Sequence, residues 1–204
     1  MLFLRYESFR QYIRWYPVTT AILVIQLIVF AAMALAGGTK DNETLVRFGA
    51  LLNYPPFSGE YWRYFASIFI HIGFDHLLFN SFSLFVFAPP LERLLGKWKY
   101  TLFYLGSGFV GNLATVLFSS GFVLSAGASG AIYGIFAAYL FIALFYKQAL
   151  DKQSSSTIKI VIVLGFVYTF LIPQINVAGH VGGFIGGFLL FAPMIRRRRI
   201  GNEG

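Results

Sequence analysis

Six apolar stretches of near-membrane length, joined by connections that alternate between basic and almost uncharged, constrain this chain more than any other feature. A helix needs about 20 apolar residues to cross a bilayer, with a range of about 17–25. Stretches of that order lie at 18–36, 74–91, 100–119, 126–146, 158–173 and 177–195; the fifth is short and the sixth is rich in glycine. Composition agrees: 57% of the 204 residues are hydrophobic and 12% charged, where soluble domains have about 45–50% and about 25%. The expected fold is an all-α membrane protein with six transmembrane helices.

Charge orients that bundle. Lys and Arg concentrate in cytoplasmic connections. Arg5, Arg10 and Arg14 precede the first stretch, Arg93, Lys97 and Lys99 lie between the second and third, Lys147, Lys152 and Lys159 between the fourth and fifth, and four arginines at 196–199 follow the sixth. The other connections hold only Lys40, Arg47 and Arg63, so thirteen of sixteen basic residues fall on one side and both termini are expected in the cytoplasm. The formal charge of +8 raises nucleic acid as a partner, but the basic residues are spread between apolar segments rather than gathered in one stripe, which argues against it. An N-terminal signal peptide is the competing reading of residues 5–36, with Ala34-Leu35-Ala36 as its cleavage site. The apolar run exceeds the about 7–15 residues of such a segment, and retention as the first helix fits the charge alternation. The expected location is the cell membrane, as a multi-pass protein.

The chain reads as one domain. Residues 1–16 interleave basic and aromatic side chains, as a juxtamembrane anchor does. Residues 17–195 form the six-helix domain, and 196–204 a basic cytoplasmic tail suited to anionic lipid heads. The longest connection, 37–73, is expected to fold back along the outer interface and to lie partly in the membrane. It contains Pro55, Pro56 and the aromatic amphipathic segment 62–70. Ser154, Ser155 and Ser156 read as a flexible cytoplasmic turn.

Polar groups within such spans are functional candidates. With the N-terminus inside, the second, fourth and sixth helices run from the outer face inward, and each carries unusual polar residues in its first turns: His76 and Asn80, Ser129, and His180. Asp75, Ser125 and Asn176 are candidate N-caps. Ser129 lies within Gly127-Ala128-Ser129-Gly130-Ala131, and Gly130 with Gly134 forms a small-residue face that permits close helix approach. Gly183 and Gly187 share a face with His180. Either glycine motif alone reads as a packing device. Together, at matched depth and with an imidazole, they predict a serine hydrolase in which His180 takes the proton of Ser129.

Such chemistry needs donors for an oxyanion. His76 and Asn80, at i and i+4, project from one helix face, and the Ser129 N–H near a helix N-terminus adds a third. Tyr133, four residues after Ser129, can hold the imidazole by stacking. No intramembrane carboxylate is available to orient His180, so the reading is a dyad. A metal site built on His71, His76 and His180 is disfavoured, because the first two lie five residues apart and no cysteine exists. His71 reads as a loop or interface residue, and no cofactor is expected.

These residues resemble the rhomboid intramembrane serine proteases. The shared pattern is Trp62-Arg63; His71, His76 and Asn80; Glu92 and Gly96; Gly127, Ser129, Gly130 and Tyr133; and His180, Gly183 and Gly187. The resemblance implies a six-helix core of the minimal bacterial type and a Ser129–His180 dyad. It implies an oxyanion site at His76, Asn80 and the Ser129 amide, with Tyr133 packed on His180. It further implies Trp62 and Arg63 in a membrane-embedded first loop, and Glu92 as a structural link at the inner end of the second helix. The fifth helix and the 174–176 link are similar to the family's lateral gate and cap. Pro89 and Pro90 depart from the pattern, standing where many relatives have glycine.

The implied activity is cleavage of transmembrane segments of other proteins near the outer face, with protein helices and lipid as partners. A non-catalytic rhomboid-like factor that binds or chaperones client helices is the alternative. A transporter, the third reading, calls for discontinuous helices and buried charges, and the spans contain almost no ionisable residues.

Overall fold

The computed structural model describes residues 2–4, 6–55, 57–172 and 175–195. Arg5, Pro56 and the basic tail at 196–204 lie outside the described residues. The chain opens with α1 (Phe9–Trp15), begun by a capping box in which the Ser8 hydroxyl accepts from the Gln11 N–H and the Gln11 side chain accepts from the Ser8 N–H. Pro17 starts α2 (Pro17–Ala36), where a residue without an N–H leaves no helix bond unmade. The long first connection holds α3 (Asn42–Phe48), β1 (Leu51–Leu52) and α4 (Arg63–Ala66). Then follow α5 (Phe74–Leu95), α6 (Lys97–Phe118), β2 (Leu124–Ser125), α7 (Ser129–Phe145), α8 (Lys152–Leu171) and α9 (Val177–Met194). β1 and β2 pair antiparallel, Leu51 opposite Ser125 and Leu52 opposite Leu124, so the first connection is tied to the entry of α7.

Each of the six expected stretches falls on a long helix. By length and apolarity, α2, α6, α8 and α9 can cross a bilayer, and α5 joins them when taken with Arg63–Phe69, which meets it at 90°. The apolar α7 has 17 residues, about 25 Å at 1.5 Å per residue, less than the about 30 Å of a hydrocarbon core. Outward faces carry large exposed apolar side chains, among them Ile28, Phe82, Leu102, Leu164 and Leu189. The chain is a multi-pass integral membrane protein.

Local signals were misleading in three places. Ser154, Ser155 and Ser156 are not a turn but the first turns of α8. Asp151 caps that helix, accepting from the Ser154 N–H at 2.9 Å and from its hydroxyl at 2.6 Å, and the same hydroxyl accepts from the Leu2 N–H at 2.8 Å. Asp75 lies inside α5 rather than at its cap, which is Gly73, and Ser125 lies in β2, three residues before the Ala128 cap of α7. Asn176 does cap α9, accepting from the Gly179 N–H at 2.8 Å. The second helix also runs on through Pro89 and Pro90 to Leu95. Pro89 has no N–H for the Phe85 carbonyl, and the Tyr12 hydroxyl reaches that oxygen from α1, at 3.4 Å.

Two interactions hold the bundle. At one end, α2 begins with no side-chain cap of its own. Glu92 of α5 supplies it: its carboxylate accepts from the Val18 N–H at 2.9 Å, the Thr19 N–H at 2.8 Å and the Thr19 hydroxyl at 2.7 Å. Glu92 and Thr19 are both buried. The second is α9, wedged between α6 and α7 by its paired glycines. A Cβ on Gly183 or Gly187 would collide with the backbone of Gly130 or Gly134 in α7, and one on Gly182 or Gly186 with Ala114 or Val110 in α6. Adjacent residues on a helix point about 100° apart, so each glycine pair serves two neighbours at once.

Glu92→Ala strands three donors, two of them buried, and is expected to destabilise the protein by about 1–3 kcal/mol, read as a lower unfolding temperature in detergent. Gly187→Ala is expected to cost about 1–3 kcal/mol, because the methyl meets backbone that cannot yield. Gly59→Ala, where a Cβ meets nothing within 4 Å, leaves the unfolding temperature unchanged.

Candidate active site

The residues singled out from the sequence gather where the N-terminal turns of α5, α7 and α9 meet. α7 starts at Ser129 because Gly127, with φ +136°, turns the chain sharply and Ala128 takes helical angles at the cap. The Gly127 N–H donates to the Ser67 carbonyl at 2.9 Å, pinning this entry to the first connection. His76 lies directly against it: a Cβ on Gly127 would sit 2.6 Å from His76 Cε1 and 2.7 Å from Nε2. Glycine is therefore required at 127 by its backbone angle and by the imidazole beside it. Ser129, partly buried, occupies the first position of α7, where backbone N–H groups lack helical partners.

His180 stands in the first turn of α9, 7% exposed. Its ring stacks on Tyr133, with centroids 4.3 Å apart and planes inclined by 14°. The Tyr133 hydroxyl donates to the Gly165 carbonyl of α8 at 2.6 Å and is hydrogen-bonded to the Thr169 hydroxyl. Thr169 in turn lies 2.8 Å from His180 Nδ1. Gly130, next to Ser129, packs against the Gly179 carbonyl and Gly183 of the helix that carries His180. Among the described residues no hydrogen bond joins the Ser129 hydroxyl to the His180 ring.

The remaining expected residues lie beside His76, in the first connection and far along α5. Asn80, buried one turn below His76, donates its amide to the His76 carbonyl at 2.8 Å. Arg63 is buried in the first connection. Its guanidinium donates to the carbonyls of Val46 at 2.6 Å and Ala50 at 3.1 Å, pairs with Glu60 at 2.6 Å, and lies 4.6 Å from the Trp62 ring centroid. Trp62 itself is half exposed. Arg63 and Trp62 thus organise the loop, and Glu92 sits far along α5, at the α2 cap. His71, fully buried before α5, meets the His76 ring edge-on at 5.2 Å.

Several residues of this region escaped the sequence reading, and Asn176, read there as a cap, makes further bonds. Thr169 and Gly165 complete the surroundings of His180 from α8. Gly111 of α6 lies against the Gly179 carbonyl and Gly130. Asn176 donates to Thr115 at 2.8 Å and to Ser125 at 2.9 Å, joining α9 to α6 and β2. Asn112 donates to the Tyr64 carbonyl at 2.7 Å and to Ser67 at 2.9 Å, fixing the first connection on α6. Thr169 did carry a signal, as a hydroxyl near the C-terminal end of the apolar α8.

Comparison with known proteins shows the family to which the chain belongs. The sequence pattern of the Rhomboid domain matches residues 58–197. The rhomboid-family protein YdcA of Bacillus subtilis (strain 168) is 39% identical over 193 residues, 93% of this chain and 94% of that protein. Rhomboid protease GluP of the same organism is 36% identical over 176 residues, 86% of this chain but 34% of GluP. Inactive rhomboid protein 1 of Papio anubis is 35% identical over 141 residues, 68% of this chain and 16% of that protein. With the domain pattern covering most of its length and one relative aligned nearly end to end, the chain belongs to the rhomboid family.

Proposed function

We propose that this chain is an intramembrane serine endopeptidase that cleaves transmembrane segments of other membrane proteins near the outer face. The observation that carries the reading is His180, stacked on Tyr133 and bonded through Nδ1, on the helix whose glycines touch the residue after Ser129. Its relatives named as rhomboid proteases supply the reaction class. In this reading Ser129 Oγ attacks the peptide carbonyl carbon while His180 Nε2 takes its proton. The ring then gives that proton to the leaving amine, and water hydrolyses the acyl-enzyme with His180 again as base. The hydrogen bond between such a nucleophile and its base is often looser without substrate. The oxyanion is met by the Ser129 N–H, the His76 ring and the Asn80 amide, whose NH2 keeps a second hydrogen beyond the one given to the His76 carbonyl.

Six crossings with both termini in the cytoplasm complete the proposal, supported by the thirteen-to-three division of basic residues. Residues 17–195 form the membrane domain, flanked by the juxtamembrane segment 1–16 and the basic tail 196–204, with 37–73 partly embedded at the outer face of the cell membrane. The shortness of α7 fits a crossing whose outer end stops below the surface, where the loop ahead of it admits water to Ser129. Likeness to Inactive rhomboid protein 1 supports the competing reading, a factor that binds client helices without cutting them.

In detergent, a fluorophosphonate probe is expected to label the protein and to fail on Ser129→Ala and His180→Ala, and both variants are expected to lose cleavage of a transmembrane substrate. Labelling that persists in Ser129→Ala rejects Ser129 as nucleophile. Client capture without cleavage, unchanged in Ser129→Ala, favours the binding factor. Asn80→Ala is expected to lower kcat by about 10²–10³-fold, with the unfolding temperature as the control for folding.

A further inference from the structure

α8 contributes one buried polar side chain to the outer half of the bundle, Thr169, 1% exposed, while Val163, Leu164, Val167, Tyr168, Phe170 and Leu171 on the same helix are exposed. Its hydroxyl oxygen has three partners. The Gly165 carbonyl lies at 2.9 Å, the Tyr133 hydroxyl is within hydrogen-bond range, and His180 Nδ1 lies at 2.8 Å. The Tyr133 hydroxyl is also 2.6 Å from the Gly165 carbonyl, so the three oxygens form a closed triangle.

Hydrogen counting favours one polarity of this network. A carbonyl brings no hydrogen, and each hydroxyl brings one. Three close oxygen–oxygen contacts therefore share two hydrogens. Keeping both within the triangle leaves one contact without a hydrogen, whereas sending the Thr169 hydrogen to His180 would leave two. Both hydroxyl hydrogens stay within the triangle, and the bond to the ring is made by a hydrogen on Nδ1 that Thr169 Oγ1 accepts. A neutral imidazole with its hydrogen on Nδ1 has its lone pair on Nε2. That nitrogen is the one a serine base uses.

We propose that Thr169 is a positioning residue that holds His180 in the tautomer able to accept the Ser129 proton, filling from α8 the place a carboxylate takes in a three-residue triad. This rests on the protease reading above. Stacking on Tyr133 fixes the plane of the ring, and the acceptor on Thr169 fixes which way round it stands within that plane. When Nε2 is protonated during the reaction, the Nδ1–H bond to Thr169 becomes charge-assisted and strengthens. The same hydroxyl ties the base to a helix that bears neither Ser129 nor His180, so the base is complete only while the outer end of α8 is seated.

The test has two arms. In the first, ring-labelled histidine is observed by NMR in a Ser129→Ala background, with the His180 signal assigned from the Ser129→Ala/His180→Ala protein. The expected spectrum shows the hydrogen on Nδ1, Thr169→Val gives a mixture of tautomers, and Thr169→Ser restores the original signal. This arm needs no activity, so it stands or falls separately from the protease reading. A hydrogen on Nε2 in the Thr169-containing protein, or a signal unmoved by Thr169→Val, overturns the proposal; the former needs no variant to fold. In the second arm, Thr169→Val is expected to lower kcat about tenfold, the weight of one hydrogen bond, with KM unchanged, and Thr169→Ser to recover it. Equal kcat in Thr169→Val and the unaltered enzyme, or a loss that Thr169→Ser does not repair, overturns it as well.

Discussion

Close backbone contact along α9 is the constraint on which the rest of this structure depends. Between helices in lipid there is no hydrophobic drive, because the surrounding chains are as apolar as the side chains, and association rests on van der Waals contact and interhelical hydrogen bonds. Gly182 and Gly186 remove the side chains facing α6, and Gly183 and Gly187 those facing α7. Gly111 and Gly130 complete the fit from the other two helices. This contact brings the first turns of α7 and α9 side by side, and Tyr133 can reach the His180 ring only because no side chain separates the two backbones.

Once those turns are adjacent, the polar groups near them find one another. Asn176 caps its own helix and bonds to Thr115 and Ser125, so one side chain locks α9, α6 and the paired strands. Asn112 and Arg63 do the same for the first connection, each donating to backbone carbonyls of that loop. An unpaired polar group is costly in an apolar interior, so these bonds make one arrangement of the loops strongly preferred over its alternatives. The network around His180 belongs to the same set. It satisfies Tyr133, Thr169 and the imidazole together, and it gives the ring a fixed sense as well as a fixed place.

The far end of the bundle uses different means. Glu92 caps a helix more than seventy residues earlier in the chain, and Tyr12 reaches the carbonyl that Pro89 cannot serve. Both are substitutions of tertiary contacts for local ones. They explain how α2 starts without a cap of its own and how α5 carries two successive prolines without ending.

Much of this was legible in the residues. Apolar runs of membrane length identified a helical membrane bundle, and the unusual polar residues in the first turns of three helices pointed to the region of its candidate site, because burial in lipid leaves a direct imprint on composition and spacing. Helix starts were less legible: Asp75 and Ser125 have the side chains of caps, yet Gly73 and Ala128 occupy those positions, and Ser154 reads as turn until Asp151 and Leu2 bond to it. What only the tertiary structure decided is which glycines face which helix, where Glu92 and Tyr12 direct their bonds, and that Thr169 meets His180. Those facts depend on the relative rotation of elements distant in the chain, which three-dimensional packing sets and local periodicity does not encode.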